Sequence, residues 1–222
     1  MKEYPIEPDR REISRYLGYR AATPDEKVAE SIERCVRRLQ EVVTPGFVSA
    51  VFPLETAGKD RIRFADVTVE SKNLARNLRG CLQVVLFAAT LGVGPDRLIA
   101  RAAIGHASDM VILQAASAAM IEAYCDSKNK EIRRQAAQKK LYCRPRFSPG
   151  YGDFSLEHQR DMLRILQTPK KIGLTLTESL LMAPSKSVTA VIGLSTEKEP
   201  CPLSGCEVCE KTDCAFRRGS NA

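Results

Sequence analysis

The ten-residue segment RPRFSPGYGD, at residues 144–153, separates two helical patterns and cannot itself be helical. Its two prolines fix φ and lack backbone donors, so they keep the chain extended and stiff. Gly150 and Gly152 permit a positive φ, or a close backbone approach, on either side of Tyr151. The sequence therefore predicts a rigid loop between two helices.

The same loop carries groups that can bind a ligand. Arg144 and Arg146 supply guanidinium groups, which can bind a carboxylate through two parallel hydrogen bonds. Exposed backbone amides and the ring of Tyr151 add hydrogen-bond donors and an apolar face. This combination suits a small anionic or zwitterionic ligand, although a well-built turn without a ligand explains the composition equally well.

The order of helix and strand patterns indicates the fold class. Residues 24–43 show apolar positions at helical spacing, and residues 109–137 are rich in Ala, Gln, Lys and Arg, which favour a long helix. Strand patterns lie at 47–54, 61–69, 81–90 and 186–194. Helices and strands alternate irregularly, with connections that suit hairpins, so we expect an α+β fold with an antiparallel sheet.

Composition excludes several classes of protein. The chain has 222 residues and a formal charge of +7, spread along its length, which favours acidic partners. It shows none of the aromatic and basic motifs of common nucleic-acid-binding modules, so we expect no nucleic-acid partner. The longest apolar run, residues 84–93, is too short to span a membrane, and residues 1–10 lack the apolar region of a signal peptide. A cytoplasmic protein without a membrane partner is expected.

The C-terminal segment CPLSGCEVCEKTDC contains four cysteines with the spacing C-x4-C-x2-C-x4-C: Cys201, Cys206, Cys209 and Cys214. Thiolates this close can surround one metal centre, and the central two-residue gap is typical of zinc knuckles and iron–sulfur loops. A segment with few apolar residues cannot order itself by burial, so a metal would supply the free energy of folding. The spacing therefore predicts a metal site.

Other interpretations of the four cysteines remain open at this point. Two disulfides, a redox-active pair or an unordered tail are the alternatives, and a reducing compartment favours metal over disulfides. Four cysteines fit either zinc or a 4Fe–4S cluster, with a slight preference for iron–sulfur. Because the composition changes near residues 195–200, we predict a domain at 1–195 and a metal-binding tail at 196–222.

The loop motif RFSPGY, beginning at Arg146, is followed after a helix by LTESLLMAPSKSV at residues 176–188. Together they resemble the activation domain of cobalamin-dependent methionine synthase, whose pattern is R-x-x-P-G-Y and then L-T-E-S-x-x-M-x-P-x-x-S-V. The resemblance is specific over residues 144–193. The chain resembles a short, free-standing version that lacks the substrate and cobalamin modules of the enzyme.

The resemblance implies a single C-shaped α+β domain with a bent antiparallel sheet, flanking helices and a ligand site for S-adenosylmethionine. In the family, this domain docks on the cobalamin-binding module of the methyltransferase when the cofactor has oxidised to cob(II)alamin. An external electron donor of the flavodoxin or ferredoxin type then supports reductive methylation by S-adenosylmethionine. The chain is expected to be a reactivation factor of this kind, with no catalytic residue of its own.

The family pattern assigns roles to four positions of the loop. Arg146 would pair with the carboxylate of S-adenosylmethionine, the backbone around Ser148 and Gly150 would hydrogen-bond the ligand, and Tyr151 would pack on it. Glu122 is a candidate for an acidic contact, and residues 1–19 offer no clear counterpart of a second one. The alternative is a binding or scaffold module with a metal-binding tail, which has the same fold but no activity that depends on S-adenosylmethionine.

Overall fold

The computed structural model describes residues 6–19 and 22–198. The helices are α1 (Arg10–Tyr16), α2 (Glu26–Val42), α3 (Lys72–Asn77), α4 (Gly94–Gly105), α5 (Ala107–Gln138), α6 (His158–Leu166) and α7 (Thr168–Ile172). The strands are β1 (Gly46–Thr56), β2 (Arg61–Phe64), β3 (Val67–Glu70), β4 (Cys81–Thr90), β5 (Tyr142–Cys143), β6 (Thr175–Leu176), β7 (Met182–Ala183) and β8 (Ser187–Ser195). Helices and strands are mixed irregularly along the chain, which confirms the predicted α+β class.

Six of the strands form one sheet in the order β3-β2-β1-β4-β8-β5, and β6 and β7 form a separate pair. The pairs β1–β2, β2–β3, β5–β8 and β6–β7 are antiparallel. Hairpin connections account for the first three strands in this order, as the short polar link after β1 predicts.

The region predicted as one strand at residues 61–69 is a hairpin. Ala65 has a φ of 50°, and Phe64 pairs with Val67 across the tight turn. Ile62 and Val69 form another pair in the same hairpin, and all four apolar side chains are buried. The slip in the alternation near Ala65 therefore marks a turn, because both strands must bury the same face of the sheet.

Helix α5 is continuous through residues 126–129. The N-cap of helix α2 is Asp25, whose side chain accepts a hydrogen bond from the amide of Val28 (2.9 Å). The apolar stripe predicted for α2 is buried: Ile32, Cys35, Val36 and Leu39.

The chain divides into two compact units, each built from three segments. Unit 1 comprises Met1–Val48, Ala89–Lys130 and Gln167–Val188, and unit 2 comprises Ser49–Ala88, Glu131–Leu166 and Thr189–Ala222. In unit 1, α2 packs on α4. The buried side chains of unit 2 include Phe87, Phe154, Met162, Leu166 and Val191.

The last described strand ends at Ser195, and the predicted boundary between residues 195 and 196 stays a prediction. Cys201, Cys206, Cys209 and Cys214 lie outside the described residues. Among the helices that the structure describes, none is both long enough and apolar enough to cross a membrane.

Candidate functional site

The predicted ligand loop begins in unit 2 at the end of β5 and is fixed to β8 at two points. The amide of Arg144 donates to the carbonyl oxygen of Gly193 (2.8 Å). Phe147 and Val191 then exchange two backbone hydrogen bonds of 2.9 and 2.8 Å as an antiparallel bridge. Arg146 lies between these two attachments and is half-buried. Its position is therefore set by a strand of the sheet.

The second half of the loop is a compact turn. The amide of Gly150 donates to the carbonyl oxygen of Phe154 (2.7 Å), and the amide of Tyr151 donates to that of Ser148 (3.2 Å). Both amides therefore already donate hydrogen bonds within the turn. The predicted backbone contacts to a ligand would therefore fall to other backbone groups around Ser148 and Gly150, and they stay a prediction.

Both glycines of the loop have the predicted positive φ, 91° at Gly150 and 54° at Gly152. At Gly152 there is also a close approach, because a Cβ atom built there would lie 2.4 Å from Nδ2 of Asn73. Glycine at this position lets the loop pack against the first turn of α3.

Asp153 closes the loop onto the start of α3. Its Oδ1 accepts hydrogen bonds from the hydroxyl of Ser71 (2.6 Å) and the amide of Asn73 (3.1 Å), and its Oδ2 accepts one from the amide of Lys72 (2.7 Å). Partial burial raises the pKa of Asp153, but the hydrogen bonds from Ser71, Asn73 and Lys72 outweigh it and hold the pKa below its ordinary value. Sequence reasoning gave Asp153 no role, because its partners lie about 80 residues away.

The two arginines of the loop have different surroundings. Arg144 is only 6% exposed, and its Nη2 donates to the carbonyl oxygen of Arg79 (3.0 Å). This guanidinium supports the turn that follows α3. Arg146 is the arginine that the family pattern assigns to the ligand, and this role stays a prediction.

The loop carries one buried and one exposed aromatic side chain. Phe154 is 1% exposed, lies 6.3 Å from the ring of Phe147 and stacks on His158 at 5.4 Å. Tyr151, three residues earlier, is 68% exposed. The loop thus exposes the ring of Tyr151 to solvent and buries the ring of Phe154.

The second half of the family motif lies in unit 1. Strands β6 and β7 form a short hairpin, and the amide of Ser185 then donates to Oδ2 of Asp96 on α4 (2.8 Å). Lys186 donates through Nζ to Oε1 of Gln114 on α5 (2.6 Å). Burial lowers the pKa of Lys186, and the carboxylate of Asp96 opposes this shift. Through these hydrogen bonds, the segment before β8 contacts α4 and α5.

Glu122, the candidate acidic contact, also lies in unit 1. It is half-buried on α5, close enough to raise the pKa of the Tyr16 phenol together with burial, which is the larger cause. Glu12 acts on the same phenol and forms an ion pair with Arg15 (2.6 Å). The structure therefore places a second carboxylate, on α1, near Tyr16, where sequence reasoning had identified none.

The cysteines of the described residues do not form a reactive site. Cys35 and Cys125 are buried, as expected of small apolar side chains. Burial raises the pKa of the Cys143 thiol, although Arg133 opposes the shift. Residues 6–19 and 22–198 contain no group of three or more His, Cys, Asp or Glu side chains placed to hold a metal ion. The metal site predicted for the four C-terminal cysteines is untested by this finding.

Among solved structures, the chain is similar to one described as the crystal structure of the MetH reactivation domain bound to AdoHcy. The TM-score is 0.61 and the sequence identity is 17% over 78% of this chain. The match covers 66% of the other chain, slightly less than two thirds of its length, and at this identity it shows a shared fold. No curated protein matches the chain.

A sequence profile of the family described as vitamin B12 dependent methionine synthase, activation domain, matches residues 82–201, which is more than half of the 222 residues. The matched region contains β4, β8, the loop at 144–153 and the segment at 176–188. The chain therefore belongs to the family of the activation domain of vitamin B12 dependent methionine synthase.

Proposed function

We propose that this protein is a reactivation factor for a cobalamin-dependent methyltransferase such as methionine synthase, and that it binds S-adenosylmethionine through the loop at residues 144–153. The observation that carries this proposal is the half-buried Arg146, held between two attachments to β8 and followed by the exposed ring of Tyr151. Membership of the family and the AdoHcy bound to a protein of similar fold support it.

The chemistry of the loop fits the amino-acid end of this ligand. A guanidinium presents a planar set of donors that matches a carboxylate through two hydrogen bonds. Because both backbone groups of Phe147 are bonded to Val191, little backbone conformational entropy is lost when the neighbouring Arg146 binds an anion. Tyr151 supplies an apolar face for the rest of the ligand. The residues of this chain therefore bind and orient the methyl donor.

The methyl-transfer chemistry belongs to the cobalamin carried by the partner protein. That cofactor would supply the reductive methylation chemistry, with the electron coming from the external donor and the methyl group from S-adenosylmethionine, which would be left as S-adenosylhomocysteine. The role of this chain is to hold the methyl donor in position during that transfer.

An electron donor of the flavodoxin or ferredoxin type completes the proposed system, and the surface of unit 2 supports a partner of acidic character. The exposed cationic side chains of unit 2 include Arg76, Arg79, Arg133, Arg134, Lys139 and Lys140. Like charges on one unit attract an acidic protein over a distance set by the ionic strength. Reversal of charge at Arg133 and Arg134 should slow electron delivery at low salt and have little effect at high salt.

The binding step is tested by calorimetry with S-adenosylmethionine, and the function by reconstitution. This protein is mixed with an inactive cob(II)alamin methyltransferase, a reductant and S-adenosylmethionine, and methylcobalamin is followed by its absorption spectrum. We expect saturable heat in the first experiment and methylcobalamin in the second only when this protein is present. A flat titration at high ligand concentration would instead support the alternative, a scaffold module that binds the partner without S-adenosylmethionine.

We further propose that Cys201, Cys206, Cys209 and Cys214 hold a 4Fe–4S cluster or a zinc ion. The support is their spacing, which places four thiolates close together in the sequence. A cluster at this point would add an electron-transfer step that the fold of the domain alone does not supply.

A further inference from the structure

Asp153 joins the ligand loop to a helix that precedes it by about 80 residues in the chain. Its two carboxylate oxygens accept three hydrogen bonds from the first turn of α3, from the hydroxyl of Ser71 and the amides of Lys72 and Asn73. Hydrogen bonds to an ionised carboxylate are shorter and stronger than those between neutral groups. This contact is therefore the strongest polar attachment of the second half of the loop.

Helix α3 does not depend on Asp153 for its N-cap. The hydroxyl oxygen of Ser71 accepts a hydrogen bond from the amide of Leu74 (3.0 Å), so α3 has a capping side chain within its own sequence. The carboxylate of Asp153 adds a second set of acceptors from outside the helix. Its removal would leave a capped helix and would take away the polar attachment of the turn to α3.

Without Asp153, the turn at residues 148–152 would be attached on one side only. The bridge between Phe147 and Val191 holds the turn at its beginning, and the three hydrogen bonds of Asp153 hold it at its end. The buried ring of Phe154 gives a further attachment, so loss of Asp153 would loosen the turn without unfolding it. Tyr151 lies between the two polar attachments, and Arg146 directly precedes the first.

We propose that Asp153 is a positioning residue for S-adenosylmethionine binding, acting through the placement of Tyr151. This inference rests on the proposed function. Asp153 itself does not touch the ligand in this proposal. Its carboxylate fixes the end of the turn to α3, and the turn fixes the side chain of Tyr151, while Arg146 is held by β8.

Two variants test the proposal from opposite sides of the contact. Asp153→Ala removes the acceptor. Lys72→Pro removes one donor, the amide that bonds Oδ2, and proline is well tolerated at this first position of a helix after an extended Ser71. Lys72→Ala keeps that amide, so its comparison with Lys72→Pro isolates the hydrogen bond from the charge. Asp66→Ala is the matched control, because it removes an exposed carboxylate of unit 2 whose ion pair is with Arg164 on α6 (2.7 Å).

Calorimetry with S-adenosylmethionine and thermal unfolding are measured on every variant of the full chain. We expect affinity to fall roughly tenfold in Asp153→Ala, which corresponds to a modest loss of positioning, and by a smaller factor in Lys72→Pro than in Asp153→Ala. The affinity of Asp66→Ala should match that of the wild type, even if its unfolding temperature falls as far as that of Asp153→Ala. Combination of Asp153→Ala with Tyr151→Ala should lower affinity by less than the product of the two separate effects, because Asp153 acts through the ring of Tyr151.

The outcomes separate this inference from the proposed function. If the wild-type protein binds S-adenosylmethionine and Asp153→Ala binds it equally well, the positioning role is wrong and the ligand site stands. If the effects of Asp153→Ala and Tyr151→Ala multiply fully, Asp153 does not act through Tyr151 and the inference also fails. If the wild-type protein gives no binding heat, the proposed function itself fails, and the positioning role falls with it.

Discussion

Phe147 and Val191 exchange two backbone hydrogen bonds, of 2.9 and 2.8 Å, although they lie in a loop and in a strand that are far apart in the sequence. This bridge extends the edge of the sheet into the loop motif that characterises the family. The residue before the bridge is Arg146, so the proposed ligand-binding guanidinium extends from backbone that is held like a strand. Sites built on regular elements place their side chains more accurately than free loops do.

Replacement of Arg146 should weaken S-adenosylmethionine binding in two steps. Arg146→Lys keeps the positive charge but loses the planar pair of donors, and we expect a loss of about tenfold in affinity. Arg146→Ala removes the charge as well and should weaken binding further, by roughly a hundredfold. Calorimetry measures both, with Arg164→Ala as a control because Arg164 pairs with Asp66 on the surface of unit 2. Equal affinities for wild type and Arg146→Ala would contradict the proposed site.

Phe154 and Tyr151 should respond in opposite ways to replacement by alanine. Phe154 is 1% exposed, so Phe154→Ala should lower the free energy of unfolding by about 3–5 kcal/mol. Tyr151 is 68% exposed, so Tyr151→Ala should change stability by about 0.5 kcal/mol or less. Only Tyr151→Ala should lose ligand affinity while remaining folded. Denaturant unfolding and calorimetry on the same samples would show whether the two roles separate.

The carboxylate of Asp153 should make stability depend on pH. Its pKa is lower in the folded protein than its ordinary value of 3.8, so the unfolded chain binds a proton first as pH falls. The stabilisation is therefore fully present above that ordinary value and is lost as pH falls through the lowered pKa. Asp153→Asn should be less stable than wild type at neutral pH, and the difference should shrink in acid.

Unfolding in denaturant between neutral pH and pH values below 3.8 measures this difference. Glu33 also has a lowered pKa, from its hydrogen bond with Arg10, and contributes to the acid sensitivity of both proteins alike. Subtraction of the variant from wild type removes that shared contribution. A difference that stays constant with pH would show that the carboxylate charge of Asp153 does not stabilise the fold.

The sequence predicted the elements whose signals are local, and it missed contacts between distant segments. The glycines on either side of Tyr151 required a positive φ, and the structure has it at both. The only sign in the sequence of the hairpin at Ala65 was an interruption in the alternation of apolar and polar residues. A turn changes the side of the sheet to which each later residue points. The burial of Arg144 could not be predicted, because its partner is the carbonyl oxygen of Arg79. Every residue has a backbone carbonyl, so the residue types alone do not show which one will accept this hydrogen bond.

The candidate site shows the same limit. The family motif predicted Arg146, Ser148, Gly150 and Tyr151, which lie close together in the sequence. Asp153 was missed because its importance depends on Ser71 and on two backbone amides in α3. Glu12 was missed because only the fold places it near Tyr16 and brings Glu122 close to the same phenol.

The two glycines at the ends of α4 should differ sharply in their tolerance of a side chain. A Cβ atom at Gly94 would lie 2.0 Å from the carbonyl oxygen of Val42, a backbone atom at the end of α2 that cannot move aside alone. Gly94→Ala should therefore cost about 2 kcal/mol or more in the free energy of unfolding. At Gly105 a Cβ would meet nothing within 4 Å, so Gly105→Ala should be neutral or slightly stabilising. Equal stability of the two variants would show that α2 and α4 do not need this close approach.

The four C-terminal cysteines give the last prediction. If they hold a 4Fe–4S cluster, protein purified without oxygen should be brown, should contain about four iron atoms per chain and should lose both properties when Cys206 and Cys209 are replaced by serine. If they hold zinc, the protein should be colourless with about one zinc ion per chain, and the same replacements should release it. The matched control is Cys35→Ser with Cys125→Ser, because these buried thiols lie on helices and belong to no group of three or more potential metal ligands among the described residues. Wild-type protein with neither iron nor zinc would contradict the metal site, and quantification of thiols would then show whether the cysteines are paired as disulfides.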